Sequence, residues 1–186
     1  MKRMAIAALA LAGCSTTVAP ADVGVASDGL LHGIEACHRN MFDGVPVDRA
    51  VAESARGRTY ARDDRYDVVS GISPPGWKLA GEVRVGATDR GGCNIYISSG
   101  DGPELRNLAL ATHFGMSSRR WIPMKIIAAP RGEVRDAVCT TDRMPAGKSV
   151  GVVMTSRLDS TVTDRRAFIA TVMLAAASDC TERQFP

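Results

Sequence analysis

The residues of this 186-residue chain whose types could support chemistry are its five cysteines and three histidines. Four of the cysteines are far apart in the sequence, at Cys37, Cys93, Cys139 and Cys180. If the chain is exported to an oxidising compartment, four widely spaced cysteines predict two disulfide bonds. No CxxC pair occurs, which argues against a redox dithiol and against the common zinc sites. A metal site that uses Cys37, His38 or other thiols is the alternative.

The histidines do not form a recognisable catalytic set. His32 and His38 are six residues apart, a spacing that does not bring two side chains onto the same face of a helix. His113 falls in the last turn of another predicted helix, where a cation suits the helix dipole. No nucleophile motif such as GxSxG accompanies them. We therefore interpret all three as surface or capping residues, and we predict neither a catalytic residue nor a cofactor.

The segment 58–76 is rich in Tyr and Arg, the residue types that are enriched at binding hot spots. Its candidate recognition residues are Tyr60, Arg65 and Tyr66. The alternative interpretation is a plain long connection between two elements of secondary structure.

Two further features of the sequence bear on binding. The carboxylates of segment 58–76 alternate with arginines, which is typical of a solvated loop: Asp63, Asp64 and Asp67. A second and weaker candidate for recognition is the run Arg119-Arg120-Trp121. Arginine is abundant throughout this chain, so its presence in either segment is weak support for binding.

The first thirteen residues have the pattern of an export signal. Two cations, Lys2 and Arg3, precede an apolar run from Met4 to Ala12. A membrane-spanning helix needs about 20 apolar residues, so this run is too short to cross a bilayer. A charged start followed by a short apolar stretch is typical of a signal peptide, which we predict at 1–13.

The end of this signal, Leu11-Ala12-Gly13-Cys14, resembles the lipobox of bacterial lipoproteins. The resemblance covers this N-terminal segment only. It implies cleavage before Cys14, two acyl chains such as palmitate on its sulfur, and acylation of the new amine. Each buried acyl methylene contributes about 0.8 kcal/mol, so several chains anchor a protein to its membrane durably. The alternative is ordinary signal cleavage beside an unrelated cysteine.

The resemblance also implies a location in the cell. Lipoproteins of two-membrane envelopes that lack Asp after the lipidated cysteine are usually sent to the outer membrane, and this chain has Ser15 there. The small and polar residues that follow predict a lipidated, flexible tether at 14–26 and a single periplasmic domain at 27–186.

The charge balance does not favour nucleic acid as a partner. The whole chain has a net charge of +3. Removal of Lys2 and Arg3 with the signal leaves 21 of the 23 basic side chains against 20 acidic ones. The mature protein therefore lacks the basic field that attracts nucleic acid or anionic lipid.

The domain is predicted to begin with two helices. One stripe of a helix is indicated by four apolar residues at spacings of four, three and four: Leu30, Ile34, Cys37 and Met41. This helix should start near Ser27 or Asp28 and stop before Gly44. A second, short helix is predicted at 47–56, with Pro46 at its start.

From Trp77 onward the hydrophobic period changes to two, which indicates strands. Alternation over 77–85 predicts one strand. The turn that follows leads into a returning strand with Cys93, Ile95 and Ile97 on one face. A helix is then predicted at about 101–114, with Pro103 near its start.

The second half resembles the first, since residues 132–135 repeat the Gly-Glu-Val-Arg of 81–84. A strand is predicted with Val150, Val152 and Met154 on one face, and a further short strand at 121–129. A last helix is predicted from about 163, with one apolar stripe: Ile169, Met173, Ala176 and Cys180. Either β-β-α units at 81–114 and 132–177 are duplicated, or the four-residue identity arose by chance.

These elements predict an α+β fold, an antiparallel sheet with helices packed on one face. We expect Val83, Ile95, Val152 and Ile169 to share its core.

The predicted faces select one of the three possible cysteine pairings. Cys37 points into the core from the first helix, and Cys93 points inward from the central hairpin. Cys139 ends a strand, and Cys180 ends the stripe of the predicted last helix. We therefore predict the disulfides Cys37–Cys93 and Cys139–Cys180, each worth about 4 kcal/mol in the chain-entropy model.

Taken together, these features predict a lipid-anchored envelope protein that faces the periplasm. Its membrane contact would be made through Cys14, and its function would be to bind an envelope protein or a cell-wall partner without catalysis. The alternative is an envelope hydrolase with an unrecognised active site. A cleft that joined His113 to an acidic residue and a hydroxyl would favour the hydrolase. An exposed Tyr/Arg patch without a pocket would favour binding.

Overall fold

The structure is a computed structural model, and it describes residues 23–54, 60–64, 70–98, 102–116, 120–124, 129, 132–157 and 167–180. The predicted signal peptide, Cys14 and most of the predicted tether lie outside these residues.

Within the described residues, three helices form one layer of the fold: α1 Val23–Asp43, α2 Val47–Ser54 and α3 Gly102–Met116. The predicted stripe of α1 is confirmed, because Leu30, Ile34 and Cys37 are fully buried. The helix begins at Val23, so residues 23–26, predicted as the end of a tether, are helical. None of the helices in the described part of the chain is long and apolar enough to cross a bilayer.

The other layer is an eight-stranded sheet in which every neighbouring pair is antiparallel. In chain order the strands are β1 Ala61–Asp63, β2 Gly76–Lys78, β3 Val83–Ala87, β4 Cys93–Ile97, β5 Ile122–Pro123, β6 Glu133–Thr140, β7 Lys148–Arg157 and β8 Phe168–Ala176. Their order in space is β1-β2-β3-β4-β8-β7-β6-β5, which leaves the short strands β1 and β5 at the two edges. Short edge strands present little backbone for unwanted pairing. The predicted α+β class is confirmed.

The core lies between the helices and one face of this sheet. The register aligns Val85, Ile95, Ala170 and Met154 across four neighbouring strands. All four side chains are fully buried. Because paired residues of antiparallel strands share a face, this row forms the floor on which α1 and α3 pack. We call the opposite side of the sheet the outer face.

The predicted strand at 77–85 is wrong in one respect, because these residues form two strands. Lys78 pairs with Arg84 and Trp77 with Val85, so β2 and β3 form an antiparallel hairpin. A 3-10 turn, Ala80–Glu82, reverses the chain between them. Gly81 has a φ of 64° there, a value that glycine adopts without strain.

The predicted last helix is also wrong, because residues 168–176 form strand β8. Every second side chain of β8 faces the helices, and three of these are fully buried: Phe168, Ala170 and Val172. Ile169, which we expected in the core, is half-buried on the outer face, where it pairs with Tyr96. The second half is therefore β-β-β rather than β-β-α, and the predicted duplication is not present.

Both predicted disulfides are confirmed. Cys37 of α1 is bonded to Cys93 of β4 with a Cα–Cα distance of 5.4 Å, which fastens the helix layer to the centre of the sheet. Cys139 of β6 is bonded to Cys180, which follows a second 3-10 turn at Ala177–Asp179, with a Cα–Cα distance of 5.6 Å. The sulfur of Cys37 is consumed by its bond to Cys93, so it does not serve as a metal ligand.

Candidate interaction surface

The predicted recognition segment 58–76 has more structure than a plain connection. The structure describes its residues 60–64 and 70–76, whereas Arg65 and Tyr66 lie outside the described residues. Ala61–Asp63 forms the edge strand β1, paired with β2. Residues 70–73 lie over the outer face of β3 and β4 before the chain enters β2. One part of this segment therefore forms an edge of the sheet, and another part covers the outer face of neighbouring strands.

Tyr60 lies immediately before the edge strand, and its residue surface is 38% exposed. Its ring meets that of Trp77 edge-on, with centroids 5.6 Å apart and an interplanar angle of 72°. It also makes a T-shaped contact with His32, at a centroid distance of 6.5 Å. Such edge-to-face contacts hold an aromatic ring in a preferred orientation. Tyr60 is thus an exposed aromatic group whose position is set by two neighbours.

His32 is buried, so the interpretation of it as a surface histidine is wrong, whereas a capping role is consistent with its hydrogen bond to the end of α2. Only 1% of its surface is exposed, and its Nε2–H donates a 2.9 Å hydrogen bond to the carbonyl oxygen of Val51. Val51 lies in the last turn of α2, where backbone carbonyls have no partner within the helix. His32 therefore supplies the hydrogen bond that the end of α2 needs. Its position opposite the apolar stripe of α1 concealed this role in the sequence.

Asp63 is not the solvated loop residue that the charge pattern predicted. Its carboxylate is 12% exposed and pairs with the guanidinium of Arg84 on β3. Gly76 is the partner of Asp63 on β2, the strand that lies between β1 and β3. Because Gly76 has no side chain, the two charged groups can meet over that strand. The neighbouring pair Arg62–Asp64 is solvated as expected, with side chains 61% and 62% exposed.

Residues 70–73, which we call the strap, cover part of the outer face. The backbone N–H of Ser73 donates to the carbonyl oxygen of Ala87, and Asn94 Nδ2 donates to that of Ser70 at 2.7 Å. Ile72 is buried over Gly76, where a Cβ would lie 2.9 Å from its Cγ2. The strap can lie this close to the sheet because that position carries no side chain.

A small cleft lies where the strap meets strands β1, β2 and β3. It is lined by Asp63, Ser70, Ile72, Gly76, Trp77 and Arg84. The space that the centre of a water molecule can occupy is about 10 Å³. A cavity of that size holds about one water, whereas sites for small molecules have volumes of about 300 Å³ or more. This cleft is therefore too small to hold an organic substrate.

The second sequence candidate, Arg119-Arg120-Trp121, does not present an exposed anchor. Trp121 is 7% exposed, and the ring of His38 stacks on it with centroids 5.7 Å apart. The exposed Arg120 uses its backbone N–H to bond Asp142 Oδ2. Arg119 lies outside the described residues. Trp121 and His38 thus pack the end of α1 against the chain before β5.

Neither a metal cluster nor the side chain of His113 can be placed among the residues that the structure describes. Over these residues, no group of three His, Cys, Asp or Glu side chains is close enough to hold a metal ion. His113 lies near the end of α3, as predicted, but its side chain is not among those described.

Comparisons with protein-family models, with characterised proteins and with solved structures found no significant match to this chain.

Proposed function

We propose that this chain is a lipid-anchored envelope protein that faces the periplasm and binds a protein or cell-wall partner without catalysis. The observation that carries the proposal is the pair of disulfides, which join segments 56 and 41 residues apart. Disulfides of this kind persist in oxidising compartments and are rare in the cytosol. They support an interpretation of residues 1–13 as an export signal. The resemblance of Leu11-Ala12-Gly13-Cys14 to a lipobox then assigns the anchor to Cys14.

The proposed anchor limits how far the domain can stand from the membrane. Helix α1 begins at Val23, nine residues after Cys14. Nine residues span at most about 30 Å when fully extended. The partner of a domain held this way is expected at the membrane surface or in the adjoining cell wall. With Ser15 after the cysteine, we assign the anchor to the outer membrane.

We propose that the partner contacts the sheet edge around Tyr60. Exposed Tyr and Arg side chains are typical hot-spot residues, and Arg62 of β1 adds an exposed guanidinium beside Tyr60. The contacts of Tyr60 with Trp77 and His32 support this role, because a ring that is already oriented loses little entropy on binding. The small volume of the adjacent cleft favours a macromolecular partner over a small substrate.

The anchor is tested by a Cys14→Ala variant. We expect it to incorporate no labelled palmitate and to leave the detergent phase in a partitioning assay. The matched control is Ser15→Asp, which should keep the label and move the protein to the inner membrane. Unchanged membrane partitioning of the Cys14→Ala variant would contradict the anchor.

The recognition surface is tested by crosslinking and capturing the lipoprotein from intact envelopes. We expect the triple variant Tyr60→Ala, Arg65→Ala, Tyr66→Ala to reduce partner capture by about thirtyfold or more, because loss of a hot spot costs about 2 kcal/mol. Leu174→Ala is the control, since Leu174 is a large exposed side chain elsewhere, 50% exposed on β8.

The thermal midpoint must be measured on the same preparation, because Tyr60 also packs on two rings. A Tyr60→Phe variant keeps those ring contacts and removes only the hydroxyl. A loss of capture by this variant would therefore reflect a lost contact with the partner and not a loss of stability. If the triple variant is stable and captures normally, or if its capture falls only in step with unfolding, the surface lies elsewhere.

A further inference from the structure

The two disulfides differ in how deeply they are placed. Cys37 and Cys93 are both fully buried and belong to the core between α1 and β4. Neither Cys139 nor Cys180 belongs to that core, and although Cys139 is also fully buried, Cys180 has 8% of its surface exposed. One disulfide thus lies inside the fold, and the other fastens the end of the described chain to β6.

The segment that carries Cys180 is weakly attached. Ser178 and Asp179 of its 3-10 turn are exposed, and Cys180 N donates to Ala177 O within that turn. In the described part of the chain, a backbone hydrogen bond joins the turn to the rest of the fold, from Ala177 N to Gly147 O at 3.0 Å. Chain segments beyond the last strand open at a small fraction of the global free energy of unfolding. Local opening of this turn would let an external thiolate reach Cys180 Sγ while the sheet stays intact.

We propose that Cys139–Cys180 is a thiol–disulfide exchange site for a dithiol reductant of the envelope. A thiolate of the reductant attacks Cys180 Sγ, the bond to Cys139 breaks, and the Cys139 sulfur leaves with the electron pair and takes up a proton. The second thiol of the reductant then attacks the mixed disulfide and releases Cys180. The reductant loses two electrons and becomes a disulfide, and the protein gains two thiols.

The Cys37–Cys93 disulfide does not undergo this exchange while the protein is folded. Exchange requires the attacking sulfur to reach a disulfide sulfur in line. For this pair, α1 would have to separate from β3 and β4, which would expose Leu30, Ile34 and Ile95 to water. That opening is close to global unfolding, and it is correspondingly rare.

Reduction would give the protein a second folded state. It would remove the covalent link between Cys180 and β6. It would also leave a free Cys139 beside Ile122 of the edge strand β5. This edge is at the opposite end of the sheet from Tyr60 and β1. The inference rests on the proposed export of the protein to the envelope, but it depends on neither the lipid anchor nor the recognition surface.

The test is a dithiothreitol series on the purified protein in detergent. Samples are alkylated at intervals, the modified cysteines are identified by peptide mapping, and circular dichroism is recorded in parallel. We expect Cys139 and Cys180 to be alkylated at least about a hundredfold faster than Cys37 and Cys93, with the spectrum unchanged. A common rate for all four cysteines, earlier reaction of Cys37 and Cys93, or loss of the spectrum with the first reduction would overturn the proposal.

A double variant, Cys139→Ser with Cys180→Ser, reproduces the reduced state permanently. It should fold, retain Cys37–Cys93 and show no fast phase with dithiothreitol. The matched variant is Cys37→Ser with Cys93→Ser, which should lose much of its stability. If the first double variant does not fold, the reduced state is not a native state and the proposal is wrong.

Discussion

Gly29→Ala probes the closest approach between the helix layer and the sheet layer. Gly29 lies on α1 opposite the 3-10 turn that joins β2 to β3. A Cβ at this position would overlap the carbonyl oxygen of Ala80 and would lie 2.8 Å from Val83 Cγ2. Ordinary carbon–carbon contacts are about 3.5–4.0 Å, so α1 would have to withdraw by about 1 Å. The obstacle is mainly backbone, which cannot rotate away as a side chain can.

Two opposing effects set the size of the change in stability. Alanine is favoured over glycine within a helix by about 1 kcal/mol. Overpacking a closely packed core costs about 1–3 kcal/mol or more, and a backbone obstacle places Gly29 at the upper end of that range. We expect a net loss of about 2 kcal/mol in the free energy of unfolding, or about 4–8 °C in Tm for a domain of this size.

Gly33→Ala, one turn further along α1, is the control. A Cβ there would lie 3.2 Å from Ile95 Cγ2, a side-chain atom that can shift by a few tenths of an ångström. Its overpacking cost should be nearly offset by the gain in helix propensity. Urea unfolding with both disulfides intact measures both variants. If Gly29→Ala is as stable as the parent, or Gly33→Ala is the more damaging change, the described contact between α1 and the hairpin is incorrect.

Three further predictions concern the strap, α2 and pH. Gly86→Ala should lower Tm, because a Cβ there would overlap Ile72 of the strap, and an unchanged Tm would mean that the strap does not lie on β3. His32→Leu should cost about 1–3 kcal/mol in urea unfolding by leaving the buried carbonyl of Val51 without its donor, and a neutral result would show that this bond is dispensable. Hydrogen bonds from two arginines lower the pKa of Glu53, so its contribution to stability should be present above the unfolded-state pKa and be lost as pH falls through the folded-state pKa. An NMR titration with Glu53→Gln as the reference checks this, and a Glu53 midpoint at or above the ordinary value would contradict it.

The helix layer shows how far local sequence pattern determines this fold. The spacing of Leu30, Ile34 and Cys37 predicted the buried stripe of α1, because a stripe at helical period has only one way to face a core. The alternation in β4 and β7 was equally clear, since Cys93, Ile95, Val150 and Val152 are all fully buried as predicted. The pairing of Cys37 with Cys93 also followed from these faces.

Strand β8 shows where pattern alone fails. Its residues contain two periods at once, a helical stripe through Ile169 and Met173 and an alternation through Phe168, Ala170 and Val172. The sequence does not choose between them. The neighbouring strands determine that this segment is a strand, because β8 pairs with β4 on one side and β7 on the other. It thereby joins the two halves of the sheet. The pairing of Cys180 was right even though the helix predicted to carry it is a strand followed by a turn.

For the candidate surface too, some features follow from the sequence and others depend on the tertiary structure. From residue type and local composition, the sequence alone singled out Tyr60 as a candidate recognition residue, and that role stays a prediction. The partners of these residues depend on distant segments. His32 became buried when α2 packed on α1, and Asp63 found Arg84 across a strand whose residue at that position is Gly76. Contacts between residues far apart in the chain are created only by the tertiary arrangement, and no local period encodes them.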